Sequence, residues 1–339
     1  MENSQNRFPG EIFGTLGPAC SETETIVSMI ENGMNGVRLN LSHGSLKEQQ
    51  EWIENMREAQ KRAGASLNFL MDLKGRELRT GESEPILLNE GSIIGFAGDI
   101  PAEKILVSMI EQGDEIMIDD GKICLRALFY DSDHSAWMCE VLQGGLLPAH
   151  KSVKILDKYA LFSPLCDEDY ANLASAEKYG VNSLMVPFVQ SRQDLIQVHQ
   201  ALEKYGLNLK VYAKIENRIG IRNLESFIDL ADVIVIARGD LGNDLGFAGL
   251  PAGQTDIEKI CRRHDKPYMV VTEMLTHMLD HPFCTRAEAN DVFSAIRNGA
   301  SSVMVTNETA VGRYPAEVIR TLSTLAKAGY DYRLSELAG

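Results

Sequence analysis

Eight short apolar runs recur along the chain, separated by amphipathic stretches of helical period. They are "EIFGTLG" from Glu11, "GVRLNL" from Gly36, "LNFLMDL" from Leu67, "SLMVPFV" from Ser183, "LKVYAKIE" from Leu209, "DVIVIARG" from Asp232, "PYMVVTEM" from Pro267 and "SSVMVTNE" from Ser301. They are apolar almost throughout, which marks parallel strands covered on both faces. Such strands need crossover helices, and the segments between them carry helix start and stop signals. "SETETIVSMIENG" opens on Ser21 with Glu24 at capping-box spacing and ends at Gly33. "SLKEQQEWIENMREAQKRAG" ends at Gly64, and "TRAEANDVFSAIRNG" runs from Thr285 to Gly299. Repeated alternation of this kind predicts an α/β fold, a (β/α)8 TIM barrel, with a doubly wound open sheet as the rival.

One interval breaks the rhythm. From about Gly81 to Leu156 no long helical pattern exists; short alternating runs, "EIMIDDGKICLRALFY" and "AWMCEVLQGG", carry turn signals at Asp120-Gly121 and Gly144-Gly145. The expectation is a small β domain inserted after the third strand, residues 82–156, with 1–81 and 157–339 forming the barrel. Loops that follow barrel strands lie on the catalytic face, so an insertion there is placed to act as a lid.

The net charge of -15 argues against nucleic acid and anionic membranes, which need basic patches. No run of about 18 apolar residues exists to span a membrane. The first residues, "MENSQNRFPG", have neither a basic nor an apolar signal region. Six cysteines are scattered without a CxxC pair, which fits a reducing compartment and disfavours zinc. These features read as a cytoplasmic protein.

Polar residues gather where the apolar runs end. In "VYAKIENRIG", Lys214 and Glu216 are two residues apart, so they point the same way from a strand. Arg38, Asn40, Ser42 and His43 follow the second run; Asp72, Lys74, Glu77 and Arg79 the third; Arg238 and Asp240 the sixth; Thr272 and Glu273 the seventh; Thr306, Asn307 and Glu308 the eighth. Glu216 and Asp240 form a carboxylate pair that leaves a Mg2+ ion open positions for water and substrate oxygens. Lys214 suits a phosphoryl group or a developing oxyanion, and Arg38 has the fork geometry for phosphate. The glycine-rich "ARGDLGND" can open a short helix whose N–H groups bind a carboxylate. Asn40, Ser42 and Asp72 form a hard-oxygen set for a monovalent cation. Plainer readings stand beside these. Asp72 and Arg79 can be a structural ion pair, Ser42 a helix cap, His43 a turn residue, Thr272 a packing hydroxyl, and Arg238 a residue that orients its neighbours. The whole set suits a small substrate carrying both phosphate and carboxylate.

In combination and in order, "GTLGPA", "GVRLNLSHG", "MDLKGRELRTG", "IDDG", "AKIEN", "ARGDLG", "TEML", "TRAEANDV" and "NETAVGRYP" resemble the pyruvate kinases, and the resemblance covers nearly the whole chain. It implies a (β/α)8 A domain with a β-barrel B domain after strand 3. It implies phosphoryl transfer between phosphoenolpyruvate and ADP, or pyruvate and ATP, with Mg2+ (or Mn2+) and K+. Glu216 and Asp240 would hold Mg2+; Lys214 and Arg38 would bind the phosphoryl group. Asn40, Ser42, Asp72 and the carbonyl of Leu73 would hold K+, and Glu77 stands where K+-dependent members carry glutamate. Thr272 would face the enolate carbon, and Ala237, Arg238, Gly239 and Asp240 would supply the carboxylate-binding turn. His43, Arg76 and Arg79 are the candidates for nucleotide or phosphate contact.

The departures from the family are specific. "KGPEIRTG" reads "KGRELRTG", placing Arg76 where proline is usual; "TQML" reads "TEML", giving Glu273. "SFIRK" reads "PFVQS", so Gln190 and Ser191 replace Arg and Lys, and Val311 replaces a further basic residue. Phe162 stands at the usual aspartate near the lid hinge. The family's C-terminal regulatory domain is not expected, and a homodimer through barrel surfaces is. Three functions fit: an authentic short pyruvate kinase; a relative that applies the Mg2+–enolate site to lyase or enolpyruvate-transfer chemistry; and an oxoacid sensor without turnover, for which Lys214, Glu216 and Asp240 together would be superfluous.

Overall fold

A computed structural model describes residues 8–75, 78–119, 121–156, 158 and 163–338. The eight apolar runs become strands β1 (Glu11–Thr15), β2 (Gly36–Asn40), β3 (Asn68–Asp72), β4 (Ser183–Val186), β5 (Lys210–Ile215), β6 (Val233–Ala237), β7 (Tyr268–Val271) and β8 (Ser302–Met304). Each pairs in parallel with its sequence neighbours, and β8 closes on β1. The closed barrel excludes the doubly wound sheet.

Alternation along the strands explains the interior. Phe13, Leu70, Met185, Tyr212, Val235, Met269 and Met304 pack together inside, each buried. Gly36 makes this packing possible: a Cβ there would lie 2.4 Å from the Phe13 ring. One step toward the strands' C-terminal ends the same faces carry Arg38, Asp72 and Lys214. At the opposite end Asn68 and Tyr212 both donate to Glu11, at 2.8 Å each. A polar network at that end of such a barrel serves stability.

The helices of the barrel unit are α1 (Thr23–Glu31), α2 (Gln50–Ala63), α3 (Asp167–Leu173), α4 (Arg192–Lys204), α5 (Arg218–Phe227), α6 (Arg238–Leu245), α7 (Leu250–Arg263), α8 (Arg286–Arg297), α9 (Asn307–Ala310) and α10 (Pro315–Ala338); the inserted unit adds a short one, Lys104–Met109. Thr285 and Glu288 cap α8 reciprocally, at the place read from sequence. The capping box expected at Ser21 is not made. Helix α1 begins one residue later than that box requires, after Glu22, and Glu24 instead pairs with Arg62 of α2 at 2.8 Å.

The chain divides into two compact units, Met1–Gly75 with Pro164–Gly339, and Arg76–Ser163. The inserted unit reaches beyond the 82–156 read from sequence because Arg79 bridges to Ser152 and Thr80 to Ala102. Its strands are antiparallel. Ile93–Phe96, Ala136–Gln143, Ile123–Asp131, Glu115–Ile118 and Val153–Ile155 form one sheet; Ile86–Leu88 pairs with Gly145–Leu147.

Candidate active site

Charge is concentrated where β2, β3 and β5 end. Arg38 donates from Nε to Asp72 Oδ2 at 2.7 Å, and its Nη2 lies 2.6 Å from the same oxygen. Its Nη1 reaches Thr15 Oγ1 at 3.3 Å. Lys214 Nζ lies 3.3 Å from Asp72 Oδ1 and 3.3 Å from Glu216 Oε1. Asp72 therefore pairs with Arg38 and Lys214, and not with Arg79, the partner that the plainer reading of the sequence predicts. Arg79 belongs to the inserted unit, where it donates to the carbonyl of His150 at 2.8 Å.

These groups are nearly dry, with side-chain exposures of 13% for Arg38, 2% for Asp72, 14% for Lys214 and 3% for Glu216. Burial alone would depress the Lys214 ammonium, but Asp72 and Glu216 together outweigh it and hold its pKa above the usual lysine value. Burial pushes Glu216 up to about 7 against the pull of Lys214, and the charge of Asp240 raises it further. Glu216 keeps its orientation by accepting from the Phe188 amide at 2.7 Å. Phe188 holds a φ of +51°, which turns the β4 loop toward β5.

The donor set fits the cations expected from sequence. Arg38 and Lys214 meet the carboxylates of Asp72 and Glu216, and the charge of Asp240 acts on both Lys214 and Glu216. Among the described residues no three His, Cys, Asp or Glu side chains converge as a protein-only cage. A carboxylate pair is what Mg2+ uses when water and substrate oxygens complete its shell. Asp72 Oδ1 is buried without a directed hydrogen bond, so it has acceptor capacity left for a cation. Asn40 stands beside Asp72 in the β2–β3 register. Its Oδ1 accepts from the Ser42 amide at 3.1 Å and caps the 3-10 turn Leu41–His43. Ser42 and His43 are exposed there, and Leu73 is buried, donating to the Met185 carbonyl at 3.0 Å.

A second constellation lies across the mouth, where β6 and β7 end. Ala237 leads directly into α6, whose first residues are Arg238, Gly239 and Asp240. Thr272 and Glu273 take φ values of +82° and +54°. Such conformations cost about 1–3 kcal/mol each, and a β-branched residue is a rare occupant. Arg238 binds this turn. Its Nε and Nη2 donate to the Thr272 carbonyl at 3.0 and 2.7 Å, and Nη2 also donates to the Glu273 carbonyl at 3.0 Å. Its Nη1 donates to Asp291 of α8 at 2.7 Å. Hydrogen bonds from a charged donor contribute about 1.5–3 kcal/mol each, enough to offset the strain.

The β4 and β8 loops differ in kind. Ser191 caps α4 reciprocally with Asp194, and the Gln190 amide donates to Asp194 at 2.9 Å. Val311 is 59% exposed. Arg76, Glu77 and Phe162 lie outside the described residues.

Sequence reasoning missed three supports. Buried Asp169, at the start of α3, accepts from the amides of Lys74, Gly75 and Cys166 at 3.0 Å each and so fixes the end of β3. Thr309 exchanges hydrogen bonds with the Thr15 backbone at 2.9 Å, tying the β8 loop to β1. Asp291 anchors Arg238. Only the position of Asp169, three residues after the N-cap Cys166, left a local trace.

The family model "Pyruvate kinase, barrel domain" matches residues 9–319. Pyruvate kinase from Geobacillus stearothermophilus is 35% identical over 328 residues, covering 93% of this chain and 56% of that protein. Pyruvate kinase from Thermococcus litoralis is 34% identical over 336 residues, covering 96% and 70%. The crystal structure of a pyruvate kinase from Cryptosporidium parvum matches with a TM-score of 0.89 at 27% identity, over 96% of this chain and 70% of that one. The chain thus spans little more than half the length of the Geobacillus protein.

Proposed function

The chain belongs to the pyruvate kinase family, and on that premise we propose that it is a Mg2+- and K+-dependent phosphotransferase acting on phosphoenolpyruvate or pyruvate with ADP or ATP. The observation that carries the reading is the buried contact of Arg38 and Lys214 with Asp72 and Glu216 at the mouth of the barrel.

In this reading Glu216 and Asp240 hold Mg2+, and Asn40, Ser42, Asp72 and the Leu73 carbonyl hold K+. The bound cations supply positive charge where the phosphoryl and enolate oxygens gather. Lys214 and Arg38 bind the transferring phosphoryl group, in a setting dry enough to strengthen each contact. The first turn of α6, entered from Ala237 through Arg238 and Gly239, receives the substrate carboxylate on its N–H groups. Thr272 presents its hydroxyl where the enolate carbon exchanges its proton. A cytoplasmic setting and a homodimer complete the proposal. No helix among the described residues is long and apolar enough to cross a membrane.

A lactate-dehydrogenase-coupled assay with phosphoenolpyruvate, ADP, Mg2+ and K+ tests it. Steady pyruvate formation, lost in excess chelator, is expected; none at millimolar substrates overturns it.

A second reading is favoured by Gln190, Ser191 and Val311: the site retains its oxoacid half and has left nucleotide chemistry for a lyase or enolpyruvate transfer. Tight Mg2+-dependent oxalate binding with negligible ADP binding would support it.

A further inference from the structure

Arg238 has the position of a substrate ligand and the bonding of a brace. Its side chain is only 10% exposed. Nε and Nη2 are committed to the Thr272 and Glu273 carbonyls, Nη2 also meets Met274 Sδ at 3.1 Å, and Nη1 pairs with Asp291. Every nitrogen of the guanidinium is engaged by the protein itself. The planar fork matters, because it reaches two successive carbonyls from one edge while Asp291 takes the other; a lysine ammonium is a point donor and cannot.

The turn it holds would not hold itself. Two consecutive non-glycine residues with positive φ are strained, and the strain persists only where surrounding contacts over-determine it. The turn's orientation is tied to α6. A Cβ on Gly239 would lie 3.3 Å from Thr272 Cγ2 and 3.9 Å from its Oγ1. The absence of a side chain at Gly239 therefore lets Thr272 sit against the first turn of α6, one residue from Asp240.

We propose that the Arg238 side chain is a positioning group, which binds no substrate and holds the strained Thr272–Glu273 turn so that the Thr272 hydroxyl is presented over Gly239. Asp291 completes the device by fixing the far edge of the guanidinium. The kinetic consequence rests on the phosphotransferase reading; the geometric one does not.

A double-mutant cycle tests this on the full chain, with Arg238→Ala, Thr272→Ala and the double variant, each checked for a cooperative thermal transition. Turnover is measured with phosphoenolpyruvate and ADP, and affinity for oxalate with Mg2+ and K+ by calorimetry. Arg238→Ala should lower kcat by roughly 100-fold with KM for phosphoenolpyruvate nearly unchanged, the pattern of a displaced reacting group. The double variant should be no slower than the slower single one, because both changes remove the same function. Added guanidinium ion should restore part of the activity of Arg238→Ala and none to the double variant. Should Arg238→Ala fail to fold, the same cycle is run with Arg238→Lys, which keeps the charge and loses the fork. Independent, multiplying effects, or a loss carried by KM, overturn the proposal. If the wild-type chain shows no turnover, the phosphotransferase reading fails and the cycle is read on oxalate. There, Arg238→Ala should leave the affinity of the Thr272→Ala background unchanged; a further loss in that background overturns the positioning role.

Discussion

Two arcs of one barrel mouth are built in opposite ways. At β2, β3 and β5, Arg38, Asp72, Lys214 and Glu216 are linked by contacts of 2.6 to 3.3 Å, almost without water. At β4 and β8 stand the uncharged Gln190, Ser191 and Val311, the first two half-buried, with Ser191 used as a helix cap and Val311 in solvent. The difference follows from burial. Removing one member of a buried ion cluster leaves its partners desolvated and uncompensated, which costs several kcal/mol. A cation on a rim open to solvent is screened, so its presence or absence changes stability far less. The first arc therefore contributes to folding itself, while changes in the second act mainly on what it binds.

The largest effect should come from breaking the dry arc chemically. Asp240→Asn or Glu216→Gln should abolish phosphoenolpyruvate-dependent turnover and weaken Mg2+ binding while the chain stays folded, since each removes an anionic oxygen from a cation that requires them. Full activity in either variant would remove these carboxylates from the proposed metal site.

Breaking the same arc structurally should show in stability. Asp72→Ala leaves Arg38 and Lys214 facing each other with one carboxylate fewer, and about 3–5 kcal/mol should be lost in urea unfolding. The corresponding change on the other arc, Gln190→Ala, should fall within about 0.5 kcal/mol. Equal losses would erase the contrast between the arcs.

The same division governs how much of the fold and the site is legible in the amino-acid sequence. The eight buried strands are legible because a parallel barrel covers both faces of each, so Val233–Ala237 can hardly read otherwise. Lys214 and Glu216 are legible because charges ending an apolar run are conspicuous. Their partners are not. Asp72 reaches Lys214 of β5 although β4 separates their strands, and proximity along the chain suggests the wrong partner, Arg79. Asp291 and Asp169 act on groups far along the chain, and no local period encodes such a contact. The positive φ values at Thr272 and Glu273 are hidden for a related reason: neither is a residue that advertises that conformation.

Adding charge to the β4 arc should sharpen the comparison. Gln190→Arg with Ser191→Lys returns two cations to the β4 loop. Charge-assisted contacts contribute about 1.5–3 kcal/mol each, and every 1.4 kcal/mol is tenfold, so ADP should bind on the order of 100-fold tighter. Oxalate affinity should not move. Micromolar ADP binding by the unaltered chain would show instead that other groups already serve the diphosphate.

The smallest effect concerns what the dry arc costs when no cation is bound. Burial raises Glu216 from 4.5 to about 7, so the folded state prefers its neutral form more than the unfolded chain does. Its favourable contribution is complete below about pH 4.5 and is lost as pH rises through about 7. Between pH 5 and 8 in chelator, the wild-type chain should therefore lose stability relative to Glu216→Gln, which cannot ionise. A shift of this size has a ceiling of about 3 kcal/mol, and relaxation around the charge brings the expected difference nearer 1 kcal/mol. Added Mg2+ should oppose the trend in the wild type, because a divalent cation favours the ionised carboxylate, and do much less in the variant. Melting temperatures of both proteins across that pH range decide it. A gap that stays constant with pH would mean that Glu216 does not titrate there, and that Lys214 alone keeps it charged.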